Sequence, residues 1–399
     1  MSDRQALWGF VLGCAAITTG VAAHLPMFLL ARSMHYHLVG MPVGTGMIVG
    51  MGLIVSGGMI AGYGLLPRNI EDQRATAAQI VVAAPEDAPL SWQHWRLMFV
   101  LVVALVIDVM KPASLGFTAP AMVAEYGVSK ATGSLVLFFA LTGTVAGSFL
   151  WGVIADICGR NASVLLSAVM FVGTSICGAM PSLAWNIGMC FMMGLAAGGM
   201  LPVTYALLAE MMPSRHRGWA LILVGGLGTV GGYFAARAWS ALLQPTFGWR
   251  ILWLINLPAG MSLVLIGRFI PESAKSVLAR GRVDEAEAEA VMRLFGSRQK
   301  KASPQRVLVA PSGYGALTRV RLVGKIAALR CCGLARGLVN FGRLLWLPDD
   351  LVAKGYSVGI SSRLLAGSAL IAYPAVFLVA LLYSKWSSQW SLIAMVAVT

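Results

Sequence analysis

Two opposite charges lie near the middle of a long apolar run, at a spacing that suits proton and anion chemistry. Asp108 and Lys111 interrupt the apolar residues from about 97 to 123. A carboxylate can take up and release a proton, and an ammonium group can hold an anion. Three residues apart on a helix, the two side chains share a face and can pair with each other. Pro112 follows and has no backbone N–H to donate to the Asp108 carbonyl, which leaves that oxygen free for a ligand.

The composition decides what surrounds these charges. The chain of 399 residues is 58% hydrophobic and 12% charged, whereas soluble domains are about 25% charged. It contains many apolar runs of the roughly 20 residues that a transmembrane helix needs. We therefore expect an all-α, polytopic membrane protein. A charge inside a membrane helix costs a few kcal/mol, so it marks a candidate functional site.

A glycine-spaced turn at residues 152–160 separates two of the predicted spans. It reads Gly-Val-Ile-Ala-Asp-Ile-Cys-Gly-Arg and resembles the loop between the second and third helices of the major facilitator superfamily, usually Gly-x-x-x-Asp-Arg-x-Gly-Arg-Arg. The matching residues are Gly152, Asp156, Gly159 and Arg160, whereas Ile157 and Asn161 stand where the family has arginine. The resemblance implies that this turn latches the cytoplasmic ends of helices together and releases them during transport.

Two further segments resemble the same superfamily. In residues 194–218, Pro202 and Glu210 lie eight residues apart, ahead of Arg217. That spacing looks more like the organic-ion and aromatic-acid branches than the sugar porters. The segment that begins Pro-Glu272-Ser and continues Gly-Arg-x-x-Glu-Ala is similar to a signature of sugar-porter-like families. The resemblance covers about residues 96–399 and adds Arg217 and Glu272 to the expected latch.

The order of the apolar runs predicts a major-facilitator-like helical bundle with an extra N-terminal two-helix hairpin and an incomplete C-terminal half. The predicted units are an extra transmembrane hairpin at 1–66, a cytoplasmic linker at 67–95, a six-helix transporter half at 96–271, a cytoplasmic loop with a short helix at 272–322, and a partial C-terminal half at 323–399. The last apolar run contains about ten residues, which is too short to cross a bilayer.

The net charge of +14 indicates topology rather than a nucleic-acid partner. Lys and Arg concentrate on one side of the predicted spans, with a dense set from Arg268 to Lys325. This asymmetry places those loops and the N-terminus in the cytoplasm. We expect an integral protein of a bacterial inner membrane. Its expected surroundings are the lipid bilayer, and no nucleic-acid partner is expected.

The resemblance and the buried charges together predict a transport site. Asp108, Lys111, Glu210 and Arg336 are the candidate residues for binding substrate or protons. Arg336 lies near the middle of the helix that corresponds, in the second half, to the helix of Asp108. If Asp108, Lys111 and Arg336 face one cavity, they sum to one positive charge, which favours an anionic substrate.

The sequence therefore predicts a secondary active transporter of a small organic solute that works by alternating access, as a symporter of protons and an organic anion. The alternatives are a sugar transporter, an efflux protein for drug-like compounds, and a truncated membrane protein that does not transport. We expect no enzyme and no cofactor. His35 and His37 are two imidazoles without a third ligand, so no metal site is predicted, and no phosphate-binding loop occurs.

Overall fold

Long apolar helices make up most of the computed structural model of this chain. The structure describes residues 3–65, 82–83, 89–272, 293–295, 298–299, 320–338 and 346–386, together with residues 390, 391 and 393. Within these residues, eight helical segments have the length and hydropathy to cross a membrane. The expected polytopic, all-α fold is confirmed.

Fourteen α-helices lie in the described residues, and some consecutive ones share one apolar span. In chain order they are α1 (Asp3–Ala22), α2 (Leu25–Leu30), α3 (Thr45–Leu65), α4 (Trp92–Tyr126), α5 (Lys130–Cys158), α6 (Arg160–Gly173), α7 (Leu183–Ala197), α8 (Met200–Met211), α9 (Ser214–Phe247), α10 (Ile251–Leu254), α11 (Asn256–Gly267), α12 (Val320–Gly337), α13 (Leu347–Ala353) and α14 (Val358–Lys385). Two residues of the linker, Val82–Ala83, pair antiparallel with Arg298–Gln299 of the later loop as β1 and β2.

A glycine ends α4, and a serine begins α5. Helix α4 ends at Tyr126 because Gly127 takes a left-handed conformation with φ of 61°, which glycine adopts without steric cost. Helix α5 then begins at once, because the Ser129 hydroxyl accepts the Thr132 N–H at 3.1 Å and satisfies a donor that the first turn leaves unpaired. The reversal between the two helices therefore takes only three residues.

The helix bounds differ from the predicted ones where local chemistry intervenes. Helix α4 begins at Trp92, four residues before the boundary expected at 96, and α12 begins at Val320 rather than after 322. The first apolar span breaks after Ala22, and Pro26 lies in the first turn of α2. The apolar run at 162–180 predicts one transmembrane span. In the structure this span is α-helical as far as Gly173 and continues as a 3₁₀ segment, Thr174–Ala179. The predicted capping and short helix of the 272–322 loop lie almost entirely outside the described residues.

Glycine pairs bring α5 and α7 into backbone contact. A Cβ atom placed on Gly194 would collide with the Ala140 carbonyl, and one on Gly198 would collide with the Thr144 carbonyl. Gly143 and Gly147 face the α7 backbone in the same way, at Phe191 and Leu195. Small residues four apart allow such close approach in lipid, where no hydrophobic force drives helices together. In the sequence, the four-residue spacing of Gly143 with Gly147 and of Gly194 with Gly198 predicts close helix packing, and these pairs pack in that way at this crossing.

The transmembrane helices of the N-terminal hairpin pack against the bundle mainly at α6. Helices α1 and α3 contact each other through Gly13, Gly20, Gly50 and Gly57. Ile17 and Val21 of α1 then join Val169 and Val172 of α6 in one buried apolar cluster. The hairpin therefore extends the bundle on the side of α6.

Replacing Gly194 with alanine tests the α5–α7 crossing. We expect Gly194→Ala to lower the free energy of unfolding by about 1–3 kcal/mol, the cost of overpacking, although alanine favours a helix over glycine. Thermal unfolding of the purified protein in one detergent measures the change. The matched control is Gly188→Ala on the same helix, where a Cβ meets nothing within 4 Å. Equal melting temperatures for the two variants would contradict the close contact.

Candidate functional site

A cavity of about 350 Å³ lies in the middle of the bundle. Its walls come from helices α4, α5, α7, α8, α9 and α12. The lining includes Asp108, Pro112, Thr144, Ser148, Ala197, Gly198, Leu201, Pro202, Thr229, Tyr233, Gly333 and Gly337. The cavity therefore joins helices of the predicted first half to α12, which belongs to the predicted second half.

Asp108 is the one carboxylate or cation among the described residues that line this cavity. The side chain is 5% exposed and its carboxylate receives no hydrogen bond from a described residue. Pro112 lines the same wall, one turn further along α4, and cannot pair with the Asp108 carbonyl. The side-chain carboxylate of Asp108 is thus available for a proton, water or ligand. Its backbone carbonyl does not receive the hydrogen bond that residue 112 of a regular helix would donate.

Lys111 turns away from this cavity. Its Nζ donates to the Phe171 carbonyl at 2.5 Å and to the Thr174 hydroxyl at 2.6 Å, and it lies 4.3 Å from the centre of the Phe171 ring. These partners stand where α6 gives way to the 3₁₀ segment. Lys111 does not pair with Asp108. Its hydrogen bonds stabilise the point at which α6 becomes a 3₁₀ segment.

Arg336 lies on α12 among residues that line the cavity. Gly333 and Gly337, which flank it on α12, line the cavity. The Arg336 side chain lies outside the described part of the structure. Its predicted role in binding an anion stays a prediction.

Arg237 is a buried cation that the sequence analysis did not single out. It is 4% exposed, donates to the Leu365 carbonyl at 2.7 Å and lies over the ring of Tyr233, 5.5 Å from its centre. Tyr233 in turn lines the cavity. The signal was present, because Arg237 interrupts the predicted span at 219–242 and an arginine there needs a partner. It joins α9 to α14.

The turn at 152–160 forms a charged node on one membrane face. Arg160 donates to Asp156 at 2.8 Å and to Glu210 at 3.0 Å, and Glu272 accepts the backbone N–H of Arg160 at 2.8 Å. We call these four residues the Arg160 node. The carboxylate of Glu272 lies at the N-terminus of α6, where the helix dipole favours a negative charge. The node ties together the ends of α5, α6, α8 and α11.

The other predicted latch residues differ in what surrounds them. Gly159 has φ of 99°, a conformation that favours glycine, as the tight reversal requires. A Cβ on Gly152 would meet nothing within 4 Å, so the space beside this glycine is open and its predicted role in the latch stays a prediction. Glu210 pairs with Arg160 rather than with Arg217, and it does not line the central cavity. Arg217 is half-buried, and its Nε has no hydrogen-bond partner among the described residues.

A second charged node occupies the opposite membrane face. Glu125 pairs with Arg250 at 2.7 Å, with side chains that are 3% and 1% exposed, and accepts the Trp249 indole N–H at 2.6 Å. Arg250 also donates to the Met180 carbonyl at 2.9 Å. This Glu125 node was missed from the sequence because both charges stand at the margins of apolar runs, where pairing is not visible. It joins the end of α4 to the chain around α10.

Residues 97–399 match the family model of the Major Facilitator Superfamily. The chain belongs to this superfamily. Its sequence is 28% identical over 287 residues to the niacin transporter NiaP of Acinetobacter baylyi, covering 70% of this chain and 64% of the relative. It is 32% identical over 205 residues to the 4-hydroxybenzoate transporter PcaK of Pseudomonas putida, covering 49% of this chain and 44% of the relative.

The superfamily fold is also found in solved structures. The xylose transporter XylE from E. coli, in a partially occluded inward-open conformation, superposes with a TM-score of 0.53 at 15% identity over 74% of each chain. At this identity the likeness shows the fold alone. The chain spans between 40% and 64% of the length of its first three curated relatives. The family model begins at residue 97, so the N-terminal hairpin lies outside the match.

The two carboxylates that pair with Arg160 are expected to differ in their contribution to stability. The Glu210 side chain is 29% exposed and that of Asp156 is 71% exposed. We expect Glu210→Gln to cost about 1–2 kcal/mol, between the values of surface and buried pairs, and Asp156→Asn to cost less than about 1 kcal/mol. Thermal unfolding of both variants measures the difference. A larger loss for Asp156→Asn would contradict Glu210 as the main partner of Arg160.

Proposed function

We propose that this chain is a secondary active transporter that carries a small organic anion together with protons by alternating access. The observation that supports this proposal is the position of Asp108, a buried carboxylate that faces a cavity between helices of the two predicted halves. In transporters with repeated halves, substrate and coupling-ion sites lie near the middle of the membrane between the halves. An intramembrane carboxylate at that place is a candidate proton carrier.

The relatives favour an organic anion as the solute. Niacin and 4-hydroxybenzoate, which two of the relatives' names specify, are both small aromatic carboxylic acids. The cavity combines the Tyr233 ring with the hydroxyl groups of Thr144, Ser148 and Thr229. A ring can pack against Tyr233 while hydroxyl groups bind polar atoms of the substrate. A cavity of about 350 Å³ suits a molecule of that size.

Electrostatics supplies a reason for coupling. A negatively charged solute in this cavity is repelled by ionised Asp108 and is not repelled once Asp108 has bound a proton. Proton binding and substrate binding then strengthen each other, as the linkage between two sites requires. Lys111 and Arg336 are the candidate counter-charges, and Lys111 would first have to leave Phe171 and Thr174. We also propose that Glu210 relays the proton of Asp108. This relay requires opening of the Arg160 node, because Glu210 pairs with Arg160.

The proposed location is the bacterial inner membrane with the N-terminus in the cytoplasm. The N-terminus of α1 lies on the same membrane face as the Arg160 node, because the other end of the first span leads to Leu38, which donates to Glu125 on the opposite face. Helix α11 ends on that face as well, where Asn161 donates to the Gly267 carbonyl, and the sequence that follows is rich in Lys and Arg. The excess of Lys and Arg there supports a cytoplasmic assignment for this face.

Replacing Asp108 with asparagine tests proton coupling. We expect proteoliposomes to take up labelled benzoate when a pH gradient is imposed, and Asp108→Asn to reduce that uptake at least tenfold because asparagine cannot carry the proton. The matched control is Asp350→Asn, an exposed carboxylate whose partner is Lys354, which should transport normally. Elution volume and melting temperature show whether each variant folds.

Other outcomes of the same assay favour the alternatives. Uptake that does not depend on the pH gradient would refute proton coupling. Uptake of D-xylose but not benzoate would favour a sugar transporter. Gradient-dependent expulsion of a lipophilic cation would favour efflux of drug-like compounds. If none of these solutes moves in vesicles that contain folded protein, the chain is better explained as a membrane protein that does not transport.

A further inference from the structure

A second polar cavity, of about 660 Å³, opens on the membrane face opposite the Arg160 node. Its lining combines the loop of the N-terminal hairpin, at His35, Tyr36 and His37, with the ends of α4 and α9 and with Arg363 near the start of α14. The hairpin lies outside the family match. This cavity is therefore formed jointly by the added segment and the common bundle.

The hairpin loop is held in place by the bundle. The Leu38 N–H donates to Glu125 at 2.9 Å, and the Tyr36 ring lies between Phe28, at 4.7 Å, and Phe247, at 5.9 Å between ring centres. His35 and Tyr36 both have left-handed backbones, with φ of 53° and 62°. Such conformations cost about 1–3 kcal/mol each and persist where surrounding contacts enforce them. The loop therefore has a defined shape at the cavity.

The charges around this cavity favour an anion. Glu125, the carboxylate in the lining, is already paired with Arg250 and bonded to Trp249 and Leu38. Arg363 is exposed, and no hydrogen bond or ion pair joins it to another residue that the structure describes. His37 also faces Glu125, with 4.0 Å between its Nδ1 and a carboxylate oxygen. The charge of Glu125 is thus balanced by Arg250, and Arg363 leaves a positive charge in the lining.

The walls also specify the size and character of the ligand. The volume falls in the range of sites for small organic molecules, and it is too large for a bare inorganic ion. Trp249, which is 4% exposed, and the half-buried Tyr36 contribute aromatic atoms to the wall. A guanidinium such as that of Arg363 binds carboxylates with two parallel hydrogen bonds. We propose that this cavity binds a small aromatic carboxylate, held between Arg363 and the hairpin loop. A ligand there joins α14 to the hairpin and the end of α4, and so favours the arrangement in which these elements lie together.

Local chemical labelling tests this site without depending on the central cavity. Ile360 lines the cavity and is exposed, so the variant Ile360→Cys reports on occupancy, in a background with Cys331→Ser and Cys332→Ser, because both thiols are exposed. The rate of reaction with a polar maleimide is measured on the full chain in detergent, with and without benzoate. We expect saturating benzoate to slow the reaction at least threefold.

Two charge variants show whether Arg363 is responsible. Adding Arg363→Gln should remove the protection, and Arg363→Lys should restore part of it. The matched control is Lys354→Gln, which removes an exposed cation from the preceding turn, outside the cavity lining, and should leave protection unchanged. All of these positions are exposed, and melting temperatures check that each variant folds.

The outcomes separate this site from the proposed transport site. Protection that persists in Asp108→Asn supports a separate site whether or not that variant transports, whereas loss of protection there would overturn it. Absence of protection by benzoate, or protection that survives Arg363→Gln, would also overturn the proposal. Protection by phosphatidylglycerol but not by benzoate would assign the cavity to an anionic lipid headgroup and refute the carboxylate.

Discussion

The architecture depends on close contact between helix backbones within the membrane. Lipid is as apolar as leucine, so burial of apolar side chains does not drive helices together there, and small residues that permit close packing do. The crossing of α5 and α7 is the clearest case, with glycines on each helix facing backbone carbonyls on the other. The same crossing supplies Thr144, Ser148 and Gly198 to the central cavity. The glycines thus determine both how the helices pack and how wide the cavity is.

Charged pairs lie at both membrane faces of the bundle. In the part of the chain that the structure describes, Arg160 and its carboxylates form a node on one face, and Glu125 with Arg250 forms a node on the other. Separating a partly buried ion pair costs several kcal/mol, because each charge is left without its partner. The intact pair nevertheless adds little net stability, because both charges lost their hydration when they were buried. Such nodes suit contacts that form in one state and separate in another. Between them, the cavity contains the single described carboxylate of Asp108.

Sequence analysis predicted the family and several of the elements that matter. The glycine pairs, the reversal at Gly159 and the buried position of Asp108 were readable because each depends on local spacing or on one residue in an apolar run. The pairing of Glu210 was not readable, since Arg160 lies fifty residues away in the chain and Arg217 lies seven away. The Glu125 node was missed for the same reason, because Arg250 reaches Glu125 across 125 residues.

Hydropathy and spacing along the chain are enough to predict a helical membrane protein with charges at named positions in its apolar runs, because both act within one helix. Membership of the major facilitator superfamily rests on the resemblance of its motifs and on the family model. Tertiary structure alone decided which charges meet. It turned Lys111 toward Phe171 and Thr174, left Asp108 facing a cavity, and joined Arg237 of α9 to α14. The physical reason is that spacing along one helix specifies a face, whereas the partner of that face depends on how separate helices cross.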